Sequence, residues 1–316
     1  MWNSSNKKYY IRSMIKKLCI TFTLLFGSVA MCQETLDILT ISGRYGLPSA
    51  YDSIYNAKAK ESGAMVGLVV PIKMSENSIW YNNVNYFYSH VGNNETMPLN
   101  IDNPINLHGI MLRTGLYQKF SKNRGIQLFF SPRLMSNFRN INIDHFQFGG
   151  LAMYEKRYST KLKMGFGAMF NQEFFGPYLV PLVNIDWKIN NHWSIKGLLP
   201  IYVKIKYRVN DKLNVGWSHF GLTTSYRLGN ELYQGDYMER KSIDETIFAR
   251  YNIGGNIFLE GRIGRTFGRS YTQYDAHDKV NFSIPLVNFG DNRIQKNVSF
   301  EDGFIANLRL IYSIPI

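Results

Sequence analysis

A chain of 316 residues that is 45% hydrophobic and 15% aromatic is too rich in core-forming side chains for disorder, and its mean hydropathy of −0.21 is too low for a bundle of membrane-spanning helices. The formal charge is +13, which in an exported chain points to anionic lipid head groups or a pore lining; no nucleic-acid motif accompanies it. Both cysteines, Cys19 and Cys32, fall in the leader described next, so residues 33–316 hold no disulfide and no thiolate metal site.

The long apolar run Leu18–Ala30 follows Lys16-Lys17 and precedes Met31-Cys32-Gln33. It is shorter than the roughly 20 residues of a spanning helix. Its order of charge, apolar core and small residues is that of a secretory signal peptide. We therefore expect residues 1–32 to be a signal peptide, with Met14 as an alternative start and Gln33 as the mature N-terminus. Met31 is too large for the position before a lipidated cysteine, which argues against an anchor at Cys32. Lys7, Lys8, Arg12, Lys16 and Lys17 leave with the signal, and the charge falls from +13 to +8.

The rest of the chain reads at period two. Strands are expected at Leu36–Tyr45, Ser62–Met74 and Ile79–Ser89, with a polar loop at Gly46–Glu61. Ile105–Phe120 sets Ile110, Leu112, Leu116 and Phe120 against Gly109, Arg113, Gly115 and Lys119. Ile126–Ser136, His145–Tyr158 and Lys161–Phe170 follow, the last with Leu162, Met164, Phe166, Ala168 and Phe170 on one face. Leu179–Ile189 and the short Trp193–Leu199 lead to the clearest hairpin, Ile201–Trp217. There Val203, Ile205, Tyr207 and Val209 oppose Lys204, Lys206 and Arg208. The second strand of that hairpin runs on to about Leu228, and Gly229–Ser242 reads as a charged loop. Glu245–Ile253 and Ile257–Phe267 form another hairpin. Ser270–Glu301 is long and polar with a β-like patch at Val280–Val287, and Phe304–Ile316 is the last strand.

Short turns (Ser75–Asn77, Ser121–Arg124, Ser159-Thr160, Asn190–His192, Asn210–Lys212, Gly254–Asn256) alternate with mostly longer connections. Outer-membrane barrels have short periplasmic turns and long outer loops. The expected fold is thus all-β: a transmembrane antiparallel β-barrel over residues 33–316, of 14 strands, or of 12 if Trp193–Val209 is one bent strand. Both termini are expected in the periplasm. Large aromatics near strand ends, such as Tyr154, Trp187, Tyr207 and Tyr312, suit interfacial girdles better than the wet face of a soluble sandwich.

The wording of the middle of the chain resembles a known family. Gly165-Phe166-Gly167-Ala168, Asn171-Gln172-Glu173-Phe174, Val180-Pro181-Leu182, Leu198-Leu199-Pro200, Tyr207–Leu213 and Tyr226-Arg227-Leu228 resemble gram-negative outer-membrane β-barrels grouped as a domain of unknown function. The resemblance implies fold and location and brings no catalytic residues. It also implies outer-membrane lipid and the barrel-assembly machinery as partners. The last residues, Tyr312-Ser313-Ile314-Pro315-Ile316, depart from the terminal aromatic that such machinery reads.

The charges that share one parity are Arg113, Lys119, Arg133, Lys161, Lys163, Lys204, Lys206, Arg208 and Arg309. All nine are expected to face the lumen. The first functional expectation is a small-solute channel that prefers anions, with Gly109, Gly115, Gly165, Gly167 and Gly216 leaving the bore wide. The second is a closed barrel, its charges neutralised by acids such as Asp186 and Glu155, with a structural or partner-binding role. A lipid-modifying enzyme is the third. For it, Ser89-His90 and Ser218-His219 are the candidate dyads, but neighbours on a strand point to opposite faces. Asp275-Ala276-His277-Asp278 holds the donor types of a divalent-ion loop and reads more simply as a solvated loop. No cofactor is expected.

Overall fold

Strands with one apolar and one polar face satisfy lipid only by closing on themselves, because a bilayer offers no hydrogen bonds to an open edge. The computed structural model describes residues 35–51, 57–93, 97–233 and 235–315, and these form such a wall. The expected signal peptide lies outside the described residues. Fourteen antiparallel strands make the barrel: β1 (Thr35–Gly46), β2 (Lys58–Ser75), β3 (Ser78–Gly92), β4 (Ile105–Ser121), β5 (Arg124–Phe130 and Arg133–Ser136), β6 (Phe146–Gln147 and Gly149–Arg157), β7 (Leu162–Glu173), β8 (Gly176–Lys188), β9 (Trp193–Leu199), β10 (Tyr202–Arg208), β11 (Leu213–Arg227), β12 (Tyr237–Gly254), β13 (Ile257–Tyr274) and β14 (Phe304–Pro315). Each strand pairs with the next, and β14 pairs with β1 to close the ring. The region Trp193–Arg208 is two strands, not one bent strand: Trp193 lies opposite Tyr207 and Leu198 opposite Tyr202.

The faces follow the alternation. Ile247 and Ile263 lie opposite each other on the outer face of β12 and β13, 61% and 60% exposed; two isoleucines this bare in mid-wall mark a surface that lipid covers. Two aromatic levels bound that surface. Phe130 stacks on Phe148 near the long-loop end, and Trp193 packs against Tyr207 near the short-turn end. No helix among the described residues is long and apolar enough to cross a membrane.

Three expected loops are partly strand. β2 starts at Lys58, inside the expected loop Gly46–Glu61; β12 starts at Tyr237; and β13 continues to Tyr274. Charged residues hid these ends, because inward-facing charge in a barrel looks like loop composition. Gly268 sits at φ +60°, in the left-handed region, opposite a register shift in β12. This bulge reverses the parity of β13, so that Arg269 and Tyr271 turn inward and are buried. The glycines expected to widen the bore do something else. A Cβ on Gly115, Gly167 or Gly216 would come within 2.0–2.1 Å of a neighbouring strand's carbonyl oxygen, and on Gly165 or Gly109 within 2.8 Å of a methionine sulfur. They permit close packing and do not mark open space.

The upper part of β11 departs from the ring. Above Gly221, whose N–H donates to Ile201 O at 2.7 Å, β11 has lost β10 as a neighbour and bends under β5–β8. Its outer-face residue Ser225 meets their inward side chains. The Ser225 N–H donates to Glu173 Oε2 at 2.9 Å, the Ser225 hydroxyl to the same oxygen at 2.7 Å, and Gln147 Nε2 donates to Ser225 Oγ at 3.0 Å. Arg227 pairs in parallel with Ser136 of β5.

Candidate functional site in the barrel interior

Of the expected basic residues, some meet buried carboxylates inside the barrel and others stay exposed. Midway down, Glu260 of β13 is fully buried and meets three cations. Lys204 Nζ is 2.8 Å from Oε2, and Arg262 and Arg309 each approach Oε1 to 2.7 Å. Lys204 reaches it from β10, three strands away in the ring. Register extends the row around the wall, since Lys163 lies opposite Asp186, Asp186 opposite Lys196, and Lys196 opposite Lys204. Lys163 is 3.4 Å from Glu155, and Arg133 is 3.0 Å from Glu173. Arg208 pairs with Asp211 at the short-turn end. Lys119 and Lys161 are exposed near the same end, Lys161 just outside β7, and Lys206 is exposed on the inward parity of β10.

Arg113 differs. It faces inward midway along β4, and among the described residues no carboxylate and no hydrogen-bond partner meets it. Tyr202 of β10, a neutral phenol, and the Arg133 guanidinium of β5 are the ionisable groups near it. β4 and β10 stand nearly opposite each other in the ring, so Arg113 and Tyr202 confront each other over the bore.

A second hub, missed by the sequence reading, sits nearer the loops. Glu61 of β2 accepts from Arg44 at 3.2 Å, Arg269 at 3.0 Å, Arg240 at 3.4 Å and the Tyr271 hydroxyl at 2.8 Å. Arg44 also pairs with Asp244. Glu61 falls in the expected loop Gly46–Glu61, and the bulge at Gly268 that aims Arg269 at it has no alternation signal. Glu260 and Arg262 are also missing from the expected lumen residues, although the alternation of Leu259-Glu260-Gly261-Arg262-Ile263 carries their signal.

The candidate dyads do not assemble. Ser218 faces inward and accepts from Arg262 at 3.2 Å, while His219 turns away, with Nδ1 2.5 Å from Glu245 and Nε2 3.0 Å from Pro200 O. His90 binds Asn106 at 2.9 Å. In the long connections, Asp275 and Asp236 converge on an ammonium: Lys296 Nζ is 3.2 Å from Asp275 and 2.7 Å from Asp236. Asp275 is held below the usual carboxylate range by the His277 N–H, with Lys296 adding to the effect.

The same loop cluster contains a group poised to titrate. Asp102 is buried, its N–H donates to Gln273 Oε1 at 2.9 Å, and Gln273 Nε2 donates to Asp236 at 2.7 Å. Burial pushes the Asp102 carboxyl from 3.8 up to about 6, against the opposing pull of Tyr233 and Arg139. The folded loop therefore holds a proton that the released loop gives up, so its stability is full below about pH 4 and is lost as pH rises through 6. Amide exchange in residues 97–104 should be slower at pH 4.5 than at pH 7.5 after correction for intrinsic rates, and Asp102→Asn should abolish the difference. A difference that survives the substitution would assign it to another group.

Among solved structures the chain is similar to the COG4313 outer membrane channel from Pseudomonas putida F1, at 10% identity over 91% of this chain and all (100%) of that one, with a TM-score of 0.44. It is similar also to the TodX monoaromatic hydrocarbon channel (11% identity, 93% and 92% covered, TM-score 0.38) and to the KdgM porin in complex with oligogalacturonate (8%, 87% and 99%, TM-score 0.35). No curated protein matches. Residues 31–304 match a family described as "Domain of unknown function (DUF6268)". The chain belongs to that family, in keeping with the resemblance carried by its central motifs.

Proposed function

We propose that the chain is an outer-membrane channel for small solutes that favours anions, and that Arg113 sets the preference. The observation that supports this is the contrast among interior cations. Lys163, Lys204, Arg133 and Arg309 lean on glutamates, whereas Arg113 faces the bore with no acid against it. An uncompensated guanidinium in a narrow, low-dielectric passage concentrates anions and repels cations. In this reading the short turns and both termini face the periplasm and the long connections face outward, as in barrels of this type. Outer-membrane lipid and the assembly machinery are then its partners.

Reconstituted in planar bilayers, the protein should pass chloride in preference to potassium, and Arg113→Glu should remove or invert that preference. Unchanged selectivity in the variant would sink the role given to Arg113. A second reading draws on a different observation. The Glu61 hub and the inward bend of β11 fill the loop end of the lumen with side chains such as Tyr226, Tyr271 and Gln273, each at most 2% exposed. Absence of any conductance would favour this closed barrel, with a structural or partner-binding role in the envelope.

A further inference from the structure

The barrel wall contains a step. β8 begins at Gly176, whereas β9 ends at Leu199 opposite Val183, so residues 176–182 of β8 have no β9 residue beside them. Peptide groups left uncovered against hydrocarbon are strongly unfavourable, so a segment that covers them is favoured. The excursion between β13 and β14 supplies the cover. Val280 N donates to Phe175 O at 2.8 Å, and Ser283 pairs in parallel with Tyr178 of β8. The strand Phe282–Ile284 then turns back as Val287–Phe289.

This hairpin has two unlike faces. On one, Ser283 is buried and its hydroxyl donates to Asn288 Oδ1 at 2.6 Å. On the other, Phe282 stacks on Phe289 with ring centroids 6.1 Å apart, and Ile284 lies opposite Val287. Leu286 at the tip is 89% exposed. Pairing with Tyr178 fixes which way the faces point. Tyr178 faces inward and Ser283 with it, so Phe282 and Ile284 share the outward side with Leu179. Leu179 lies opposite Phe170, itself outward and exposed, and the row continues to the stacked pair Phe130–Phe148. The apolar face is therefore continuous with the lipid-facing surface, at its aromatic level on the loop side.

We propose that the hairpin Phe282–Phe289 is seated in the membrane, its apolar face against the acyl chains just below the head groups of the loop-side leaflet, where it seals the step above β9 and β10. The occupant is lipid because the face extends a surface already turned to lipid and because amphipathic aromatics favour that depth. The proposal requires the barrel but not an open bore.

Residues 33–316 contain no cysteine, so single cysteines can carry an environment-sensitive fluorophore. Leu286→Cys reports the hairpin tip, Phe166→Cys the lipid-facing wall, and Ile294→Cys, at a site 76% exposed beyond the hairpin, the water. In phosphatidylcholine vesicles bearing a nitroxide high on the acyl chain, label at 286 should be quenched several-fold more than label at 294. Aqueous iodide should show the reverse order. Iodide quenching at 286 equal to that at 294, or shielding of 286 from both quenchers, would overturn the proposal, the second result in favour of a protein partner. Failure of label at 166 to respond to the lipid nitroxide would instead bring down the barrel reading itself. Heat-modifiable gel migration confirms that each variant has folded.

Discussion

Replacing Glu260 by alanine is expected to destabilise the barrel by about 3–5 kcal/mol, the range found when one member of a buried ion cluster is removed and its partners are left uncompensated. Three cations, Lys204, Arg262 and Arg309, converge on this carboxylate, which has no exposure to solvent. Their mutual repulsion is held in check by one negative charge at contact distance. Removing it leaves three positive charges within the same pocket. Denaturant unfolding in detergent or lipid, read by tryptophan fluorescence, measures the loss. Adding Lys204→Met to Glu260→Ala should recover part of it, because one of the stranded charges goes too. A loss below about 1 kcal/mol would show that water or ions screen the site and that the cluster is a wetted lumen surface.

Arginine at Phe166 is expected to cost about 2–4 kcal/mol near the membrane midplane, because a guanidinium placed on the lipid face must drag water or head groups with it. Phe166 lies midway along β7, opposite Tyr154 and Val183, and is 49% exposed on the outer face. Arginine at Asn184, inward on β8 and 2.8 Å from Glu155, should cost clearly less, since a carboxylate awaits it. Reversible unfolding into lipid vesicles gives both numbers. Equal costs would mean that inner and outer faces have been interchanged.

Face assignment was the legible part of this chain. Strict alternation in Leu162–Phe170, in Val203–Val209 and in Phe304–Ile314 fixes which side chains look outward, and closure of the wall follows from the need to satisfy every backbone group. The strand number was legible too, because Pro200 and the turn residues around it separate two short strands. What alternation does not carry is distance across the bore. Nothing in the local pattern tells Lys204 that Glu260 lies within reach, or leaves Arg113 without such a partner. A positive-φ glycine also breaks the rule from within: after Gly268 the inward parity of β13 passes to Arg269 and Tyr271, and the pattern reads as loop. The inward bend of β11 has a similar origin, since it depends on β10 ending early and on Glu173 being positioned to receive the Ser225 N–H.

The seam between β1 and β14 has a kinetic meaning. It joins residues near 40 to residues near 310, so the last ladder to form is the one of greatest sequence separation. Until β14 has been delivered, every partial sheet carries two raw edges, and the β1 edge waits longest. Such edges recruit other chains readily. Assembly of this protein is thus a race between ring closure and edge-to-edge association. The rate of the final zippering step, more than the stability of any single hairpin, governs how much of the chain survives to become a barrel.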